Sequence, residues 1–156
     1  MSDTGHAALV RGAPLLIAYD GSEGARRAID VATSLFPGRE AVVLAVAAPV
    51  TVGEALAETV GVVQGFEEAN QSVALETAAE GAARANRAGL IARGRGEIAV
   101  PTWQGILDVA GEIGATAIVM GSHARTGLRE ALEGSVSHEV AKHAHHPVLI
   151  VPPRRA

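Results

Sequence analysis

Five short and nearly continuous apolar segments alternate with stretches of helical periodicity along this chain. They lie at residues 15–18, 41–47, 98–100, 117–120 and 148–151. A strand that is apolar at successive positions must be covered on both faces, as it is in a parallel sheet flanked by helices. Because parallel strands require crossover connections, the alternation predicts an open, five-stranded α/β fold with helices on both faces of the sheet.

Helical periodicity separates the strand segments. Ser22 is a candidate N-cap for the first helix, which should stop at Pro37, and Gly114 should end the third. A loop or short helix is expected before the second helix. The four helices are expected at about residues 25–36, 66–88, 106–113 and 136–144.

The composition is that of one soluble globular domain. A chain of 156 residues can bury a sizeable core, and we expect a single domain over residues 1–156. Aromatic residues make up 3% of a chain that is 48% hydrophobic, so the core must consist of Ala, Val, Ile and Leu. A net charge of −4 excludes a broad attraction to nucleic acid or to a membrane surface. An anionic ligand would therefore have to be held by local groups.

The chain contains no cysteine, which excludes disulfides, thiolate metal sites and cysteine nucleophiles. Its first residues lack the basic segment and apolar core of a signal peptide, and its apolar runs are too short to span a bilayer. We therefore expect a cytoplasmic protein.

Residues 121–137 have the pattern of a phosphate-binding loop. They follow an apolar strand segment and end where a helix is expected to begin. The first turn of a helix carries backbone N–H groups without intrahelical partners and a partial positive charge, which together favour phosphate. Ser135 can cap that helix, and Gly134 would let an anion approach the backbone closely.

This segment resembles the phosphate loop of the universal stress protein family. The family pattern is Gly, two residues, Gly, nine residues, Gly, then Ser or Thr. Here the corresponding positions are Gly121, Ala124, Gly134 and Ser135, so that alanine stands at the second glycine position. The resemblance extends to residues 17–22 and 147–151, and it covers a core of about residues 13–152.

The resemblance implies the strand order 3-2-1-4-5 and a Rossmann-like fold of the adenine nucleotide alpha hydrolase type. In that order the winding direction reverses between strands 1 and 4, where open α/β sheets bind their ligands. It further implies a site for ATP, ADP or AMP, with Mg²⁺ on the phosphates near Asp20 and no metal site built by the protein alone. The implied nucleotide-binding residues are Ala18, Tyr19, Asp20, Val46, Gly121, Ser122, His123, Ala124, Arg125, Thr126, Gly127, Gly134, Ser135, Val136 and Ser137.

Several of these residues could instead have a role that involves no ligand. Asp20 would line the adenosine end of the site, or it could be a turn aspartate that binds its own backbone. His123 and Arg125 could contact phosphate or be solvated. The hydroxyls of Ser122, Ser135 and Ser137 could donate to phosphate oxygens, or they could cap a helix.

Two further patterns are interpreted as structural. Residues 94–99 fit a loose dinucleotide-binding pattern but lead into Val100-Pro101, so we expect a turn or the lead-in to a strand. His143, His145 and His146 cluster at a helix end. No carboxylate or cysteine joins them in the sequence, so we expect histidines that interact with the helix dipole rather than a metal site.

The sequence therefore predicts a universal stress protein that binds ATP or AMP as a stress-response sensor or switch. The alternative is a nucleotide-free, dimeric interaction protein of the same fold, because Ala124 would be strained if its backbone requires a positive φ. A serine hydrolase is disfavoured, since the chain has no Gly-x-Ser-x-Gly motif. We expect that the protein is not an enzyme, although it could hydrolyse ATP slowly. The family commonly dimerises through strand 5, which implies a homodimer through residues 148–151.

Overall fold

The computed structural model describes residues 12–49, 60–122 and 135–155, with the side chains of residues 60–64 excluded. Strands and helices alternate throughout. The strands are β1 (Leu15–Ala18), β2 (Glu40–Ala47), β3 (Ile91–Ile98), β4 (Ile118–Gly121) and β5 (Val148–Val151). The helices are α1 (Glu23–Leu35), α2 (Val60–Ala88), α3 (Thr102–Ile113) and α4 (Val136–His143).

The five strands form one parallel sheet in the order β3-β2-β1-β4-β5. This confirms the open α/β fold and the strand order that the family resemblance implies. β1 is central, and it pairs with β2 on one side and with β4 on the other. The carboxyl ends of β1 and β4 thus lie side by side at the point where the winding direction reverses.

Each face of the sheet carries its own apolar core. α1 and α2 cover one face, where Ile17 and Val43 pack against Ile29. α3 and α4 cover the other face, where Leu16 and Ile118 are fully buried. Successive residues of β1 alternate between the two cores, as the pleat of a strand requires. Except for Tyr19 and Met120, the buried hydrophobic residues are alanine, valine, isoleucine and leucine.

The predicted helix boundaries are correct where a capping residue marks them. The Ser22 hydroxyl oxygen accepts a hydrogen bond from the Ala25 N–H at 3.1 Å at the start of α1. Gly114 ends α3 in the left-handed conformation, with φ of 59°. α3 begins four residues before Ile106, and α2 begins at Val60 rather than near residue 66. No helix in the described part of the chain has both the length and the apolar character to cross a membrane.

The predicted third strand is wrong in its position. β3 spans Ile91–Ile98, so that only Ile98 of the predicted residues 98–100 belongs to it. Gly94 and Gly96 lie inside the strand and not in a turn or lead-in. β3 lies at an edge of the sheet, where one of its sides is open to solvent and charged residues alternate with glycine. An edge strand needs no continuous apolar run, which is why its sequence does not stand out.

The two glycines of β3 allow α2 to lie directly on the strand. A Cβ atom at Gly94 would lie 2.9 Å from the backbone of Ala78, and one at Gly96 would lie 2.7 Å from the Leu75 nitrogen. Both distances are shorter than any real Cβ contact, so these positions exclude every other residue unless the helix moves. The pattern of glycines that mimics a dinucleotide-binding motif is therefore a helix-packing feature.

Candidate functional site

A cleft opens at the carboxyl ends of β1, β2 and β4. The floor of the cleft is apolar and is formed by the outer end of the core beneath α3. Polar groups come from Asp20, Ser22, Thr102 and Ser122. An apolar floor with a few polar groups is typical of a small-molecule site. The apolar floor consists of Ala18, Leu44, Val46, Ile106 and Met120.

The structure brings together seven of the residues that the sequence predicts for the site. They are Ala18, Tyr19, Asp20, Val46, Gly121, Ser122 and Val136. His123, Ala124, Arg125, Thr126, Gly127 and Gly134 lie outside the described residues.

The sequence interpretation missed the residues that α3 and the strand interiors contribute. Leu44 lies two positions before Val46, so the two-residue period of β2 could have identified it. Thr102 and Ile106 come from the first turns of α3, and no local motif marks them. Met120 is the residue that precedes Gly121 at the end of β4.

Asp20 makes the turn contact that its plainer interpretation predicts. Its Oδ1 atom accepts a hydrogen bond from the Ser22 N–H at 3.0 Å, and Gly21 between them has φ of 78°. The turn leads directly from β1 into the capped start of α1. Because the carboxylate is exposed and also lines the cleft, the turn contact holds it where a ligand could meet it.

The Tyr19 side chain lies on the opposite face of the sheet from the cleft floor. It is 3% exposed and packs in the core beneath α1 and α2, where its hydroxyl donates a hydrogen bond to Glu80 Oε1 at 2.9 Å. Burial raises the pKa of the Tyr19 phenol; a hydrogen bond from Arg26 opposes the increase, and Glu80 adds to it. Tyr19 can therefore serve the cleft only through its backbone.

Gly121 is required by packing as well as by the loop pattern. A Cβ atom at this position would lie 2.5 Å from the backbone carbon and oxygen of Gly24, in the first turn of α1. The backbones of α1 and β4 are thus in direct contact beside the cleft. The space that the missing side chain leaves is filled by helix α1 and not by the cleft.

The serines at the start of α4 have structural roles in this conformation. The Ser135 hydroxyl oxygen accepts a hydrogen bond from the His138 N–H at 3.2 Å, which is the N-cap contact. Its oxygen also lies 3.3 Å from that of Ser137, which is 5% exposed. The capped end points Val136 toward the cleft, so α4 begins beside the predicted phosphate position.

A family model described as the universal stress protein family matches residues 13–152. This chain belongs to that family. A curated relative, the universal stress protein MJ0577 of Methanocaldococcus jannaschii, is 46% identical over 46 residues. That match spans 30% of this chain and 28% of the relative, so the chain covers under a third of the relative's length in sequence.

Solved structures of family members share the fold over nearly the whole chain. The structure of MJ0577 superimposes with a TM-score of 0.74 at 22% identity, covering 94% of this chain and 99% of that one. A universal stress protein in complex with cAMP gives a TM-score of 0.60 at 23% identity, over 89% and 96% of the two chains. The Archaeoglobus fulgidus universal stress protein in complex with dAMP gives 0.57 at 23% identity, over 88% and 96%.

In the histidine cluster of this universal stress protein, His143 contacts an aromatic ring and a carboxylate. Among the described residues, no group of three potential ligands is arranged to hold a metal ion. His143 stacks on Trp103 with ring centroids 4.6 Å apart and an interplanar angle of 16°. Its Nε2 atom lies 3.3 Å from Glu139 Oε2, so the expectation that no carboxylate joins the histidines is wrong. The helical spacing of four residues places Glu139 there.

Replacing His143 should change the fluorescence of Trp103, the single tryptophan of the chain. The imidazole ring covers one face of the indole ring, with the ring centroids 4.6 Å apart. In His143→Ala this face is open to water, so the emission maximum should move to longer wavelength. His145→Ala, at an exposed neighbour, should retain the spectrum of the parent protein. Identical emission spectra for all three proteins would contradict the stacking contact.

Proposed function

We propose that this universal stress protein binds an adenine nucleotide in the cleft and acts as a cytoplasmic sensor or switch in the stress response. The observation that carries the proposal is the cleft itself, which lies at the β1–β4 switch point and joins an apolar floor to the capped start of α4. The family's complexes with cAMP and dAMP support the same ligand class.

The lining residues divide naturally between the two ends of such a ligand. The adenine ring would lie against the apolar floor near Ala18 and Val46, and backbone atoms would form hydrogen bonds with the edge of the ring. Asp20 would accept a hydrogen bond from the adenosine part. The phosphates would lie toward Ser122 and the N-terminus of α4.

Mg²⁺ fits this site as a companion of the phosphates. It usually binds through one or two carboxylates together with phosphate oxygens and water, and Asp20 is the carboxylate among the described cleft residues. Bound there, Mg²⁺ would supply neutralisation of phosphate charge. Asp20 would help to hold it.

The proposed activity is binding and not turnover. Ser22 and Ser135 each accept a hydrogen bond from a backbone N–H at the start of a helix, a role that favours helix capping over nucleophilic attack. We therefore propose that the function of the protein is to bind the nucleotide and not to catalyse a reaction, although slow hydrolysis of bound ATP is compatible with the site.

ATP with Mg²⁺ should raise the melting temperature of the protein. A ligand at a hundred times its dissociation constant stabilises the folded state by about 2.7 kcal/mol, which corresponds to about 5–10 °C for a domain of this size. Differential scanning fluorimetry on protein freed of retained nucleotide measures the shift. Asp20→Ala should reduce it, and Ala124→Gly should increase it if residue 124 requires a positive φ.

Two outcomes would reject nucleotide binding in the cleft. If tripolyphosphate reproduces the whole shift and Asp20→Ala leaves it intact, only phosphate charge is bound. If millimolar ATP produces no shift in either the parent or Ala124→Gly, the nucleotide-free interaction protein of the same fold is the better assignment.

We also propose a homodimer through β5. This strand lies at the edge of the sheet opposite β3, and it carries no charge or proline that would discourage pairing with a second copy. Ile150 is 36% exposed there. Strand pairing between two copies would cover it.

Light scattering should show a dimer for the parent protein and a monomer for Ile150→Lys. A lysine at the edge would place two like charges in the interface, and burial of an unpaired charge is costly. Val100→Lys is the control, because Val100 is 73% exposed and lies outside the sheet. A parent protein that is monomeric at every concentration would refute the β5 dimer.

A further inference from the structure

A second groove lies between α1 and the segment that follows β5. Its cavity volume of about 570 Å³ is in the range of small-molecule sites. None of its lining residues also lines the nucleotide cleft. We call it the arginine groove, and its lining includes Arg27, Arg154, Arg155, Asp30, Val31 and Leu35.

The three arginines of this groove have no acidic partner among the described residues, whereas Arg26, Arg84 and Arg95 each have one. Arg84 contacts both carboxylate oxygens of Asp30 at 3.0 and 3.1 Å, and Arg95 pairs with Glu97 and Glu112. The charge of Asp30, the acidic residue of the groove, is therefore already balanced by Arg84. The positive charge of the groove remains in excess.

Arg27 carries the sharpest sign that an acceptor is missing. Its Nη1 atom is buried and has no hydrogen-bond partner in the described part of the chain. A buried polar atom without a partner is costly, and the cost is greater for a charged group. Arg27 also lines the groove. A rotation of its guanidinium group would bring Nη1 to an anion bound there, which would supply the acceptor and offset this cost.

We propose that the arginine groove is a second anion site, which binds a chain of two or three phosphate groups. The planar guanidinium matches pairs of phosphate oxygens, and three guanidinium groups match the charge of a diphosphate or triphosphate better than that of a single monovalent ion. The phosphate chain can be free polyphosphate or part of a nucleotide. The site is independent of the nucleotide cleft.

Calorimetric titration with sodium tripolyphosphate at low ionic strength tests the site. The titration uses full-length Ala18→Leu protein, in which the added side chain fills the cleft floor and weakens nucleotide binding there. Phosphate bound at the other end of the cleft would not depend on the arginines of the groove, so binding in the groove is measured by the effect of replacing those arginines. Arg27→Gln in this protein should weaken binding by about tenfold or more, because a hydrogen bond to a charged group is lost. Arg154→Gln combined with Arg155→Gln should weaken it similarly.

Arg93→Gln is the matched control. Arg93 is an exposed arginine on β3, at the far edge of the sheet. Its replacement removes the same charge as Arg27→Gln but leaves the groove unchanged. It should change the affinity by less than about twofold. Melting curves verify that every variant is folded.

The ligand series identifies the source of the phosphate chain. Equal affinities for tripolyphosphate and ATP would assign the site to the phosphate chain alone, whereas tighter binding of ATP would assign it to a nucleotide. Absence of tripolyphosphate binding, or equal losses in Arg27→Gln and Arg93→Gln, would overturn the proposal. Neither result bears on whether the cleft binds a nucleotide.

Discussion

Replacing Gly121 with alanine is expected to destabilise the protein by about 3 kcal/mol, at the upper end of the usual cost of overpacking. The new Cβ atom would lie 2.5 Å from the backbone carbon and oxygen of Gly24. No rotamer change can relieve a contact with backbone, so α1 must move away from β4. Thermal unfolding should show a decrease in melting temperature of about 6–12 °C.

Gly24→Ala is the control for this substitution, since it lies on the other side of the same contact. A Cβ atom at Gly24 would lie 3.6 Å from the Ser122 carbonyl oxygen, which is an ordinary contact distance. Alanine also favours helix over glycine, so we expect a change of less than about 1 kcal/mol. Equal melting temperatures for the two variants would show that the approach of α1 to β4 is not the limiting contact.

The strands that could be predicted from the sequence are those with a continuous apolar run. β1, β2, β4 and β5 are apolar at successive positions, and their predicted bounds agree with the structure to within one residue. β3 could not be predicted in the same way, because an edge strand with arginine and glycine carries no apolar signal. The close packing of α2 on Gly94 and Gly96 depends on a helix distant in sequence.

The candidate site was predictable where a turn or cap marks it. Asp20 stands in such a turn and lines the cleft, and Ser135 caps the helix that begins beside it. The resemblance to the family names both residues. Ile106 and Thr102 were not predictable, because an apolar residue and a first-turn threonine look alike in any helix. Their role emerges only when α3 is placed over β2.

The direction of the Tyr19 side chain could have been predicted from the period of two in a strand. Ile17 belongs to the core beneath α1, and Ala18 belongs to the face that leads into the cleft. Continuing the alternation places the Tyr19 ring beneath α1 and returns Asp20 to the cleft side. The family resemblance names positions along the chain, but it does not say which atoms of a residue face the ligand.

Ala18→Leu should weaken nucleotide binding by about a hundredfold or more, which corresponds to about 2.7 kcal/mol. Ala18 is half-buried, lines the cleft and packs beside Val46. A leucine side chain would occupy the volume proposed for the adenine ring. It would also add apolar contacts to the core beneath α3, so we expect the melting temperature without ligand to change little.

Ala48→Leu is the matched control, because it adds the same side chain just beyond the end of β2 at an exposed residue that does not line the cleft. Its affinity for AMP, measured by calorimetric titration, should equal that of the parent protein. Using AMP matters, since a ligand with one phosphate depends mainly on the adenosine end of the site. If AMP binds Ala18→Leu as tightly as it binds Ala48→Leu, the base does not lie on this floor and the proposed orientation of the nucleotide is wrong.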